Sequence, residues 1–388
     1  MIDTMHTEHA LSPADVDALR RDEFPVTERF TYLNHAALGP LPRRTAHAMA
    51  TLANDFRDVG EMAYHTWSGA VERTRSLVAR ALNVHADEIA WTKNTSQGLS
   101  IVAAGVPWQP GDVVVAIKGD FPALVYPWLG LQHLGVEIRF VPLRNGAVPM
   151  DELAAALPGA RLLAISWIQY STGYRLDLQA VSNLCAQHGV LFCLDAIQGL
   201  GAWPLDLQAA PVDFCAFGGH KWLLSPQGIG ALYVNRRVRD MMQPANVGWL
   251  GAHWGDFSVF DYDRPLADGA ARYEEGTRSL VGIVGLEQSL GLLMDVSPHR
   301  IAAHITCLTS QLIEGLHERG YRVLTPPTDA HRSGIVTFAH HQRSAQDIFD
   351  TLRAAQVLCS VREGGVRISP HLYNTNDEID CVLHRLTQ

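Results

Sequence analysis

The sequence predicts an α/β protein with a mostly parallel seven-stranded sheet, followed by a smaller α+β C-terminal domain. Seven short apolar segments between residues 88 and 234 alternate with helical patterns. Such alternation is typical of a mostly parallel sheet covered by helices on both faces. After about residue 280 the pattern changes to long amphipathic helices and a few strands. The chain of 388 residues is too long for one ordinary hydrophobic core, which favours two or three domains.

The predicted strands are rich in β-branched and aromatic residues. They are EIAWT (88–92), VVVAI (113–117), EIRFVPL (137–143), RLLAISW (161–167), VLFCLD (190–195), DFCAFGG (213–219) and IGALYV (229–234). Between them, QGLSIVAAG, DELAAALPG and LDLQAVSNLCAQHG have the apolar spacing of helices. Ligands collect at the carboxyl ends of the strands in such sheets, so functional residues are expected just after these segments.

The chain divides into three predicted parts. Residues 1–30 are an N-terminal segment that packs on the small domain, residues 31–279 form the large domain, and residues 280–388 form the small C-terminal domain. The small domain contains the helical patterns GIVGLEQSLGLLMD and HRIAAHITCLTSQLIEGLHERG and the strands GIVTFAH and VRIS. The long aromatic and Gly-dotted stretch 248–279 is expected to be a functional loop region between the two domains.

Composition and charge narrow the class of protein. A net charge of -9 and a pI of about 6.0 argue against a nucleic-acid partner and favour a small molecule. The six cysteines lack the spacing of a disulfide framework, which indicates a reducing compartment. The N-terminus carries acids where a secretory signal needs an apolar run, and no later run is long enough to span a bilayer, so we expect a cytoplasmic protein with no membrane partner. The scattered histidines show no ligand spacing, and no metal site is expected.

Lys221 is an isolated lysine in GGHKWLLSPQGIGALYV (218–234). Most lysines lay their stem over apolar neighbours and keep the ammonium in water. Here, however, the preceding VDFCAFGG (212–219) predicts a buried strand that ends in a tight turn, which puts Lys221 at the edge of the sheet. A desolvated lysine loses basicity, and a neutral amine is what a covalent bond to a carbonyl cofactor requires.

Two other strand ends carry polar groups. TKNTSQGLS (92–100) places Asn94, Thr95 and Ser96 before a helix whose free amides can hold an anion, although an ordinary helix cap has the same pattern. LDAIQG (194–199) ends a buried strand with Asp195, followed by Gln198. A carboxylate at this position is uncommon unless it is paired.

A fourth strand end carries an aromatic residue. GDFPALVYPW (119–128) places Phe121 where it can present a flat apolar face to an aromatic ring, although core packing explains the same residue. Together with His220 and Lys221, these segments bring an anion seat, an aromatic face, an acid and a lysine to the ends of strands of one sheet. That combination is what a pyridoxal-phosphate (PLP) site requires.

The sequence resembles the class V aminotransferases, PLP-dependent enzymes of fold type I that include cysteine desulfurases, kynureninase and isopenicillin N epimerase. The resemblance extends from YLNHAALGP (32–40) to VRISPHLYNTNDEID (366–380). Its core is the Asp-x-x-Gln of DAIQ, followed after a spacer of about two dozen residues by Gly-His-Lys. It implies the fold of a type I PLP-dependent transferase.

The resemblance implies roles around the cofactor ring. Lys221 would carry PLP as the internal aldimine and move the proton at Cα, so Lys221 and Asp195 are the expected catalytic residues. Asp195 would pair with the pyridine nitrogen and Gln198 with the ring oxygen. Phe121 would stack on the ring where desulfurases have a histidine; a phenylalanine there is closer to kynureninase, as is IQYSTG (168–173).

The resemblance also implies how the phosphate is held. Thr95, Ser96 and His220 would bind it, joined by Thr277 of the partner subunit. A homodimer with shared active sites is therefore expected.

For the substrate, the resemblance implies a small amino acid bound by its α-carboxylate. Arg367 would clamp that carboxylate with its planar fork, and Asn34 would line the pocket near it. Four further side chains are compatible either with a pocket wall or with a domain interface: Trp167, Trp249, His253 and Trp254.

One departure from the desulfurases concerns a cysteine. In desulfurases a loop with the persulfide-forming cysteine lies between a Val-Arg pair and the carboxylate-binding arginine. Here SVREGGVRIS (360–369) leaves only four residues between Arg362 and Arg367, so that loop is missing. Cys359 lies in an apolar strand pattern and is expected to be a core residue. A desulfurase of the standard type is therefore disfavoured.

The reaction depends on the shape of the pocket, which the sequence hardly reveals. We rank an aminotransferase first, because transamination needs only Lys221 to move a proton from Cα to the cofactor. A C–S lyase that works by β-elimination ranks second. An epimerase, a kynureninase-like hydrolase and, remotely, a non-catalytic PLP-binding regulator remain as alternatives.

Overall fold

The computed structural model describes residues 10–254 and 262–387. The α-helices of the described residues are α1 (Pro13–Glu23), α2 (Arg43–Val59), α3 (Met62–Trp67), α4 (Ala70–Leu82), α5 (Thr95–Gly105), α6 (Pro122–Leu129), α7 (Met150–Ala156), α8 (Leu178–His188), α9 (Arg236–Arg239), α10 (Leu280–Val296), α11 (Pro298–Glu318), α12 (Ala345–Ala354) and α13 (Asn376–Leu386). The strands are β1 (Thr31–Tyr32), β2 (Ile89–Thr92), β3 (Val113–Lys118), β4 (Glu137–Pro142), β5 (Leu162–Ser166), β6 (Leu191–Asp195), β7 (Phe214–Gly218), β8 (Gly230–Val234), β9 (Arg322–Val323), β10 (Val336–Ala339), β11 (Val357–Leu358), β12 (Ser360–Arg362) and β13 (Gly365–Ile368).

A seven-stranded sheet forms the centre of the molecule. Its strand order is β2-β8-β7-β6-β5-β3-β4. Only β8 runs antiparallel to its neighbours, and the other adjacent strands are parallel. Every residue of β5, β7 and β8 is buried, as expected for strands that helices cover on both faces. The predicted fold class is confirmed, with strand ends within two residues of those expected.

A second sheet lies in the C-terminal part of the chain. Its four antiparallel strands have the order β12-β13-β10-β9. Helices α11, α12 and α13 pack on it around an apolar core that includes Leu312, Phe338 and Val366. The apolar residues of α11 recur at helical spacing, which explains why one of its faces is buried. This unit carries Arg362 and Arg367 on adjacent strands.

The N-terminal segment contacts the C-terminal part of the chain. Helix α1 begins with a capping box, in which the hydroxyl of Ser12 and the carboxylate of Asp15 satisfy each other's backbone N–H groups. Phe24 stacks on Tyr373 with ring centroids 4.0 Å apart. Strand β1 pairs in parallel with β11, so residues 31–32, at the start of the predicted large domain, contact the C-terminal part of the chain. The division into domains at residues 31 and 280 stays a prediction.

The region 248–279 differs from the rest of the chain in having little regular structure. Its described residues contain two short 3-10 helices, Trp249–Gly251 and Gly269–Tyr273. Residues 255–261 lie outside the described part. In the described ranges no single helix is long and apolar enough to cross a membrane; α10 and α11 meet that test only as a pair, bent by 77°.

Candidate active site

A cavity of about 380 Å³ lies at the carboxyl edge of the large sheet. Its walls come from both parts of the molecule, because loops after β2, β3, β5, β6 and β7 meet the hairpin of β12 and β13 there. It is lined by Ala36, Ala37, Asn94, Thr95, Ser96, Phe121, Ala123, Tyr170, Asp195, Ile197, Gln198, His220, Lys221, Arg362 and Arg367. Eight of the ten predicted site residues line it, all except Asn34 and Thr277.

Lys221 reaches this cavity from the turn that follows β7. The turn packs closely: a Cβ on Gly219 would lie 2.8 Å from the Cβ of Ser225, so a glycine is needed there. Lys221 Nζ lies 5.5 Å from the centroid of the Phe121 ring. Burial lowers the pKa of Lys221 to about 8, with Arg367 and Arg362 adding to the effect and Asp195 opposing it. The neutral amine is therefore accessible near neutral pH.

Asp195 is the last residue of β6 and is buried. Its Oδ1 accepts a hydrogen bond of 2.9 Å from the backbone N–H of Ile197. Burial raises the pKa of Asp195 to about 7, while that hydrogen bond and Lys221 lower it and Asp120 raises it further. Asp195 and Lys221 thus stabilise each other's charge across the cavity. A cationic ring nitrogen between them would strengthen the ionised form of Asp195.

The N-terminus of α5 forms another wall. Asn94 caps this helix, and its Oδ1 accepts from the N–H of Gln97 at 2.9 Å. Thr95 Oγ1 is buried and has no hydrogen-bond partner among the described residues. Ser96 and His220 line the same corner, and burial lowers the pKa of His220. A helix N-terminus with an unused buried hydroxyl is suited to an anion.

Phe121 is the N-cap residue of α6 and is 42% exposed. Its ring meets that of Tyr170 edge to face, with centroids 5.3 Å apart. The Tyr170 hydroxyl in turn donates to Glu363 Oε1 at 2.9 Å. This contact joins the large sheet to the β12–β13 hairpin across the mouth of the cavity.

Gln198 is buried beneath the cavity, and both ends of its amide are hydrogen-bonded. Its Nε2 donates to the carbonyl oxygen of Ala36 at 3.0 Å. Its Oε1 accepts from the indole N–H of Trp222 at 2.9 Å.

Arg367 is a buried cation without a counter-charge. It is 1% exposed, and its Nη1 donates to the backbone oxygen of Tyr170 at 2.6 Å. Its Nε has no hydrogen-bond partner, and no described acidic side chain lies within ion-pair distance. Burial lowers the pKa of Arg367 to about 9, and the neighbouring charge of Arg362 acts in the same direction. An unpaired buried guanidinium at a cavity wall is a strong anion receptor.

A tight turn of two residues joins β12 to β13. Arg362 and Gly365 are paired, and Glu363 and Gly364 between them have φ of 46° and 75°. Positive φ at both central residues is what the tight turn of a two-residue hairpin requires. Arg362 lines the cavity, and among the described residues its side chain donates to the backbone oxygen of Val361 on its own strand.

Two predicted residues lie outside this cavity. Asn34 forms a parallel bridge with Ser369, and its buried Oδ1 has no partner among the described residues. The neighbouring Ala36 and Ala37 line the cavity instead. Thr277 lines a separate cavity of about 200 Å³ with residues that include Lys93 and Gln97.

None of the four aromatic candidates lines the cavity around Lys221. Trp167 is buried, and a Cβ on Gly199 would collide with its ring, so it fills a gap under the loop after β6. The Trp254 indole N–H donates to the backbone oxygen of Trp249. His253 Nε2 lies 3.2 Å from Asp268 Oδ2.

The cysteines are also absent from the cavity lining. Cys359 is buried in the core of the C-terminal unit, and burial raises the pKa of its thiol to about 12. A thiol in that state is a poor nucleophile near neutral pH. In the described residues, no group of three or more His, Cys, Asp or Glu side chains is arranged to hold a metal ion.

Comparison with known proteins identifies the family. The family model described as aminotransferase class V matches residues 31–382. The chain belongs to the class V aminotransferases. A probable cysteine desulfurase of Methanothermobacter thermautotrophicus is 30% identical, with 94% of this chain and 95% of that protein covered. The uncharacterized aminotransferase YcbU of Bacillus subtilis is 26% identical, with 92% and 94% covered.

Solved structures of one similar protein, C-DES, match over nearly the whole chain. A lysine-to-alanine mutant of C-DES with glycine covalently linked to its PLP gives a TM-score of 0.87 at 25% identity and covers 95% of this chain and 99% of that one. A complex described as the cystine C–S lyase C-DES with its product cysteine persulfide gives 0.84 at 24% identity and covers 94% and 99%. This class V enzyme is therefore PLP-dependent, as the sequence predicts.

The residues around the cavity fit PLP. The unused Thr95 hydroxyl and the α5 amides suit a phosphate, Asp195 suits a pyridinium nitrogen, and the exposed face of Phe121 suits an aromatic ring. Lys221 has the lowered pKa that a covalent bond to a carbonyl requires. PLP in this position would supply an electron sink conjugated to Cα of a bound amino acid.

The sequence did not single out three residues that the structure places at or beside the cavity. Tyr170 comes four residues after β5, and this position just after a strand is the sequence feature that could have identified it as a site residue. Trp222 directly follows Lys221, but its apolar surroundings predict only core packing. Arg362 has no role in the sequence analysis beyond marking a spacing, because the sequence does not show that both side chains reach one cavity.

Proposed function

We propose that the protein is a PLP-dependent C–S lyase, which removes a sulfur group from the β-carbon of an α-amino acid without a cysteine nucleophile of its own. The observation that carries this proposal is the lining of the cavity: Arg362 and Arg367 face it together with Lys221, and none of the described cysteines does. The names of the similar proteins support a sulfur-containing substrate, because they include desulfurases and a cystine C–S lyase.

Each residue has a role in this reaction. Lys221 would hold PLP covalently and, once the amino group of the substrate has displaced it, would take the proton from Cα as a neutral amine. Asp195 would stabilise a protonated pyridine nitrogen, Gln198 would donate to the ring oxygen, and Phe121 would lie against the ring. Arg367 binds the α-carboxylate, because its charge has no other partner in the described structure.

The phosphate and the leaving group are held by other residues. Thr95, Ser96 and His220 bind the phosphate at the N-terminus of α5. When the Cβ–S bond breaks, its electron pair leaves with sulfur, and Arg362 stabilises the resulting thiolate because its guanidinium has no acidic partner among the described residues. The backbone bridge between Asn34 and Ser369 holds the following segment of Ala36 and Ala37 at the cavity.

A product analysis tests the reaction. The purified protein is mixed with L-cysteine, L-cystine and a panel of other amino acids, and pyruvate, ammonia and the spectrum of bound PLP are followed together. Elimination predicts pyruvate and ammonia in equal amounts with the PLP spectrum restored after each turnover. A keto acid with aminated cofactor and no ammonia contradicts the proposal.

Transamination is the second candidate. It is supported by the similarity to YcbU and by Lys221, which is enough to move a proton from Cα to the cofactor. The same assay separates the two, because transamination converts the cofactor to its aminated form and needs a second keto acid to recover it. An inverted stereocentre at Cα would instead indicate an epimerase.

We also propose that the active enzyme is a homodimer with shared sites. Thr277 lines a cavity other than that of Lys221, as expected if it completes the phosphate site of a partner. Large exposed apolar side chains include Val59, Met62 and Tyr64 on α2 and α3 and Val281 on α10, and α2 packs against both α3 and α10. Exposed apolar side chains of this kind favour a second copy of the chain as the partner.

Subunit complementation tests the shared site. Lys221→Ala and Thr277→Tyr chains are each expected to be inactive, and a refolded equal mixture should recover about a quarter of wild-type activity, because half of the dimers then have one intact site of two. Activity that does not recover in the mixture, or a fully active monomer in light scattering, would contradict sharing.

A location in the cytoplasm is part of the proposal. All six cysteines are free thiols. Free thiols in this number are typical of a reducing compartment.

A further inference from the structure

Trp222 directly follows Lys221 and is 1% exposed. Its indole N–H donates to Gln198 Oε1 at 2.9 Å. An indole nitrogen can only donate, whereas an amide side chain has a donor end and an acceptor end. The atom of Gln198 that faces Trp222 must therefore be its oxygen, and the orientation of the amide follows from chemistry.

This orientation determines what Gln198 presents to the cavity. Its Nε2 carries two hydrogens, and among the described residues only the Ala36 carbonyl accepts from it. The second hydrogen is available to a ligand, because Gln198 lines the cavity. With the amide flipped, the carbonyl oxygen would face the ring oxygen of PLP, and two acceptors would repel each other.

We propose that Trp222 is a positioning residue that holds the amide of Gln198 with an N–H group toward the cavity, so that Gln198 donates to the ring oxygen of PLP. The inference rests on the proposed contact between Gln198 and that oxygen. Trp222 itself does not touch the cavity, so it acts only through Gln198.

Residues of the C-terminal unit hold the indole in place. The backbone oxygen of Trp222 accepts from His371 Nε2 at 2.9 Å, and His371 Nδ1 accepts from the N–H of Leu372 at 2.7 Å, which determines the tautomer of that histidine. A Cβ on Gly334 would lie 2.6 Å from the Cη2 atom of the indole. Gly334 therefore leaves the space that the ring occupies.

The surrounding histidines are neutral. Burial lowers the pKa of His371 to about 4, and burial also lowers the pKa of His35 well below its ordinary value. His35 and His371 lie edge to face, with ring centroids 5.0 Å apart, and each is within 6.0 Å of the Trp222 ring. Near neutral pH, His35 and His371 therefore hold Trp222 by hydrogen bonds and packing and add no charge near the cavity.

The test measures the pH midpoint of the visible band of bound PLP in Gln198→Leu, Trp222→Phe and the double variant. A hydrogen bond donated to the ring oxygen stabilises the negative charge on that oxygen. It therefore lowers the pKa of the proton that the oxygen shares with the Lys221 nitrogen. Loss of that donor in Gln198→Leu should raise the midpoint by about half a unit to one unit, the effect of one hydrogen bond. Trp222→Phe should raise it too, and the double variant should shift no further than Gln198→Leu alone, because Trp222 acts through Gln198.

The matched control is Trp128→Phe. Trp128 is also fully buried, but its indole N–H has no partner among the described residues and it lies outside the cavity lining. Its midpoint should equal that of the wild type, which separates the loss of an indole from the loss of this contact.

Three outcomes overturn the proposal. If Gln198→Leu shifts the midpoint and Trp222→Phe does not, Trp222 has no positioning role although the Gln198 contact stands. Additive shifts in the double variant would show that Trp222 acts by another route. If neither single variant shifts the midpoint, the Gln198 contact fails and the inference with it, whatever the product analysis shows.

A second variant covers the case in which Trp222→Phe does not fold. Gly334→Ala keeps the indole N–H but displaces the ring, since the added Cβ needs the space of Cη2. It should raise the midpoint in the same direction. An unchanged midpoint in folded, PLP-loaded Gly334→Ala would contradict the proposal.

Discussion

The two walls of the cavity differ in whether their charged side chains have partners of opposite charge. On the wall formed by the large sheet, Lys221 and Asp195 face each other, and each charge is stabilised by the other. On the wall formed by the β12–β13 hairpin, both charged side chains that line the cavity are cations, Arg362 and Arg367. Arg367 is buried and has no acidic partner among the described residues. The charges of the first wall are paired within the chain, which suits a permanently held cofactor. The second needs an anion from outside, which is the property of a substrate site.

The largest effect is expected on the first wall, at Lys221. Lys221→Ala removes both the covalent attachment of PLP and the base at Cα, so turnover should fall by about a thousandfold or more. Borohydride reduction followed by peptide mapping should then find no cofactor bound to the protein. A reducible bond that persists at this site in the variant would contradict the assignment.

Asp195→Asn should bind PLP but lose most activity, because a neutral amide does not keep the pyridine nitrogen protonated. The loss of one partner of a buried charge pair costs about 2–5 kcal/mol. Turnover and PLP content measured on the same preparation separate the two effects. An undiminished rate would remove this role from Asp195.

On the second wall the effect should fall on substrate affinity alone. Arg367→Lys keeps the charge but loses the planar fork, so KM for α-amino acids should rise by about tenfold or more while PLP affinity changes little. Steady-state kinetics measure the change in KM, and titration of the apoprotein with PLP measures the cofactor affinity. If KM stays at the wild-type value, the carboxylate is held elsewhere, with Arg362 as the next candidate.

The paired wall also predicts a pH effect on the apoprotein. The pKa of Asp195 is raised in the folded state, so the folded protein keeps its proton when the unfolded chain has lost it. The apoprotein should therefore gain stability as pH falls from about 7 toward the ordinary aspartate value of 3.8. Comparing Tm across this range in the wild type and in Asp195→Asn, which lacks the titrating group, measures the contribution; identical slopes would contradict it.

The smallest effect is expected for Cys359→Ala. The thiol lies in the apolar core of the C-terminal unit, away from the cavity, so kcat and KM should be unchanged while the loss of a buried sulfur lowers the free energy of unfolding by about 1 kcal/mol. Loss of turnover with a normal PLP spectrum, or a persulfide trapped on Cys359, would instead indicate a desulfurase.

The sequence predicts the residues of the first wall better than those of the second, because the first wall is built from the strand ends of one sheet. Lys221, Asp195, Thr95 and Phe121 each come just after a strand of one sheet, and the ends of parallel strands necessarily meet at one edge. The hairpin wall comes from a separate sheet, so its position over that edge depends on packing between distant segments. The sequence therefore indicated a role for Arg367 only through the family resemblance and left Tyr170 and Trp222 unassigned.

By itself, the sequence determined the α/β fold, the PLP-binding family and the short spacing of four residues between Arg362 and Arg367. Local patterns and spacings carry that information, because strand propensity, turn glycines and chain length are properties of adjacent residues. Tertiary structure alone decided that Arg362 and Arg367 line one cavity and that the indole of Trp222 orients Gln198. Those relations depend on side chains from different elements approaching within hydrogen-bonding or charge range, and only the packed chain brings them there.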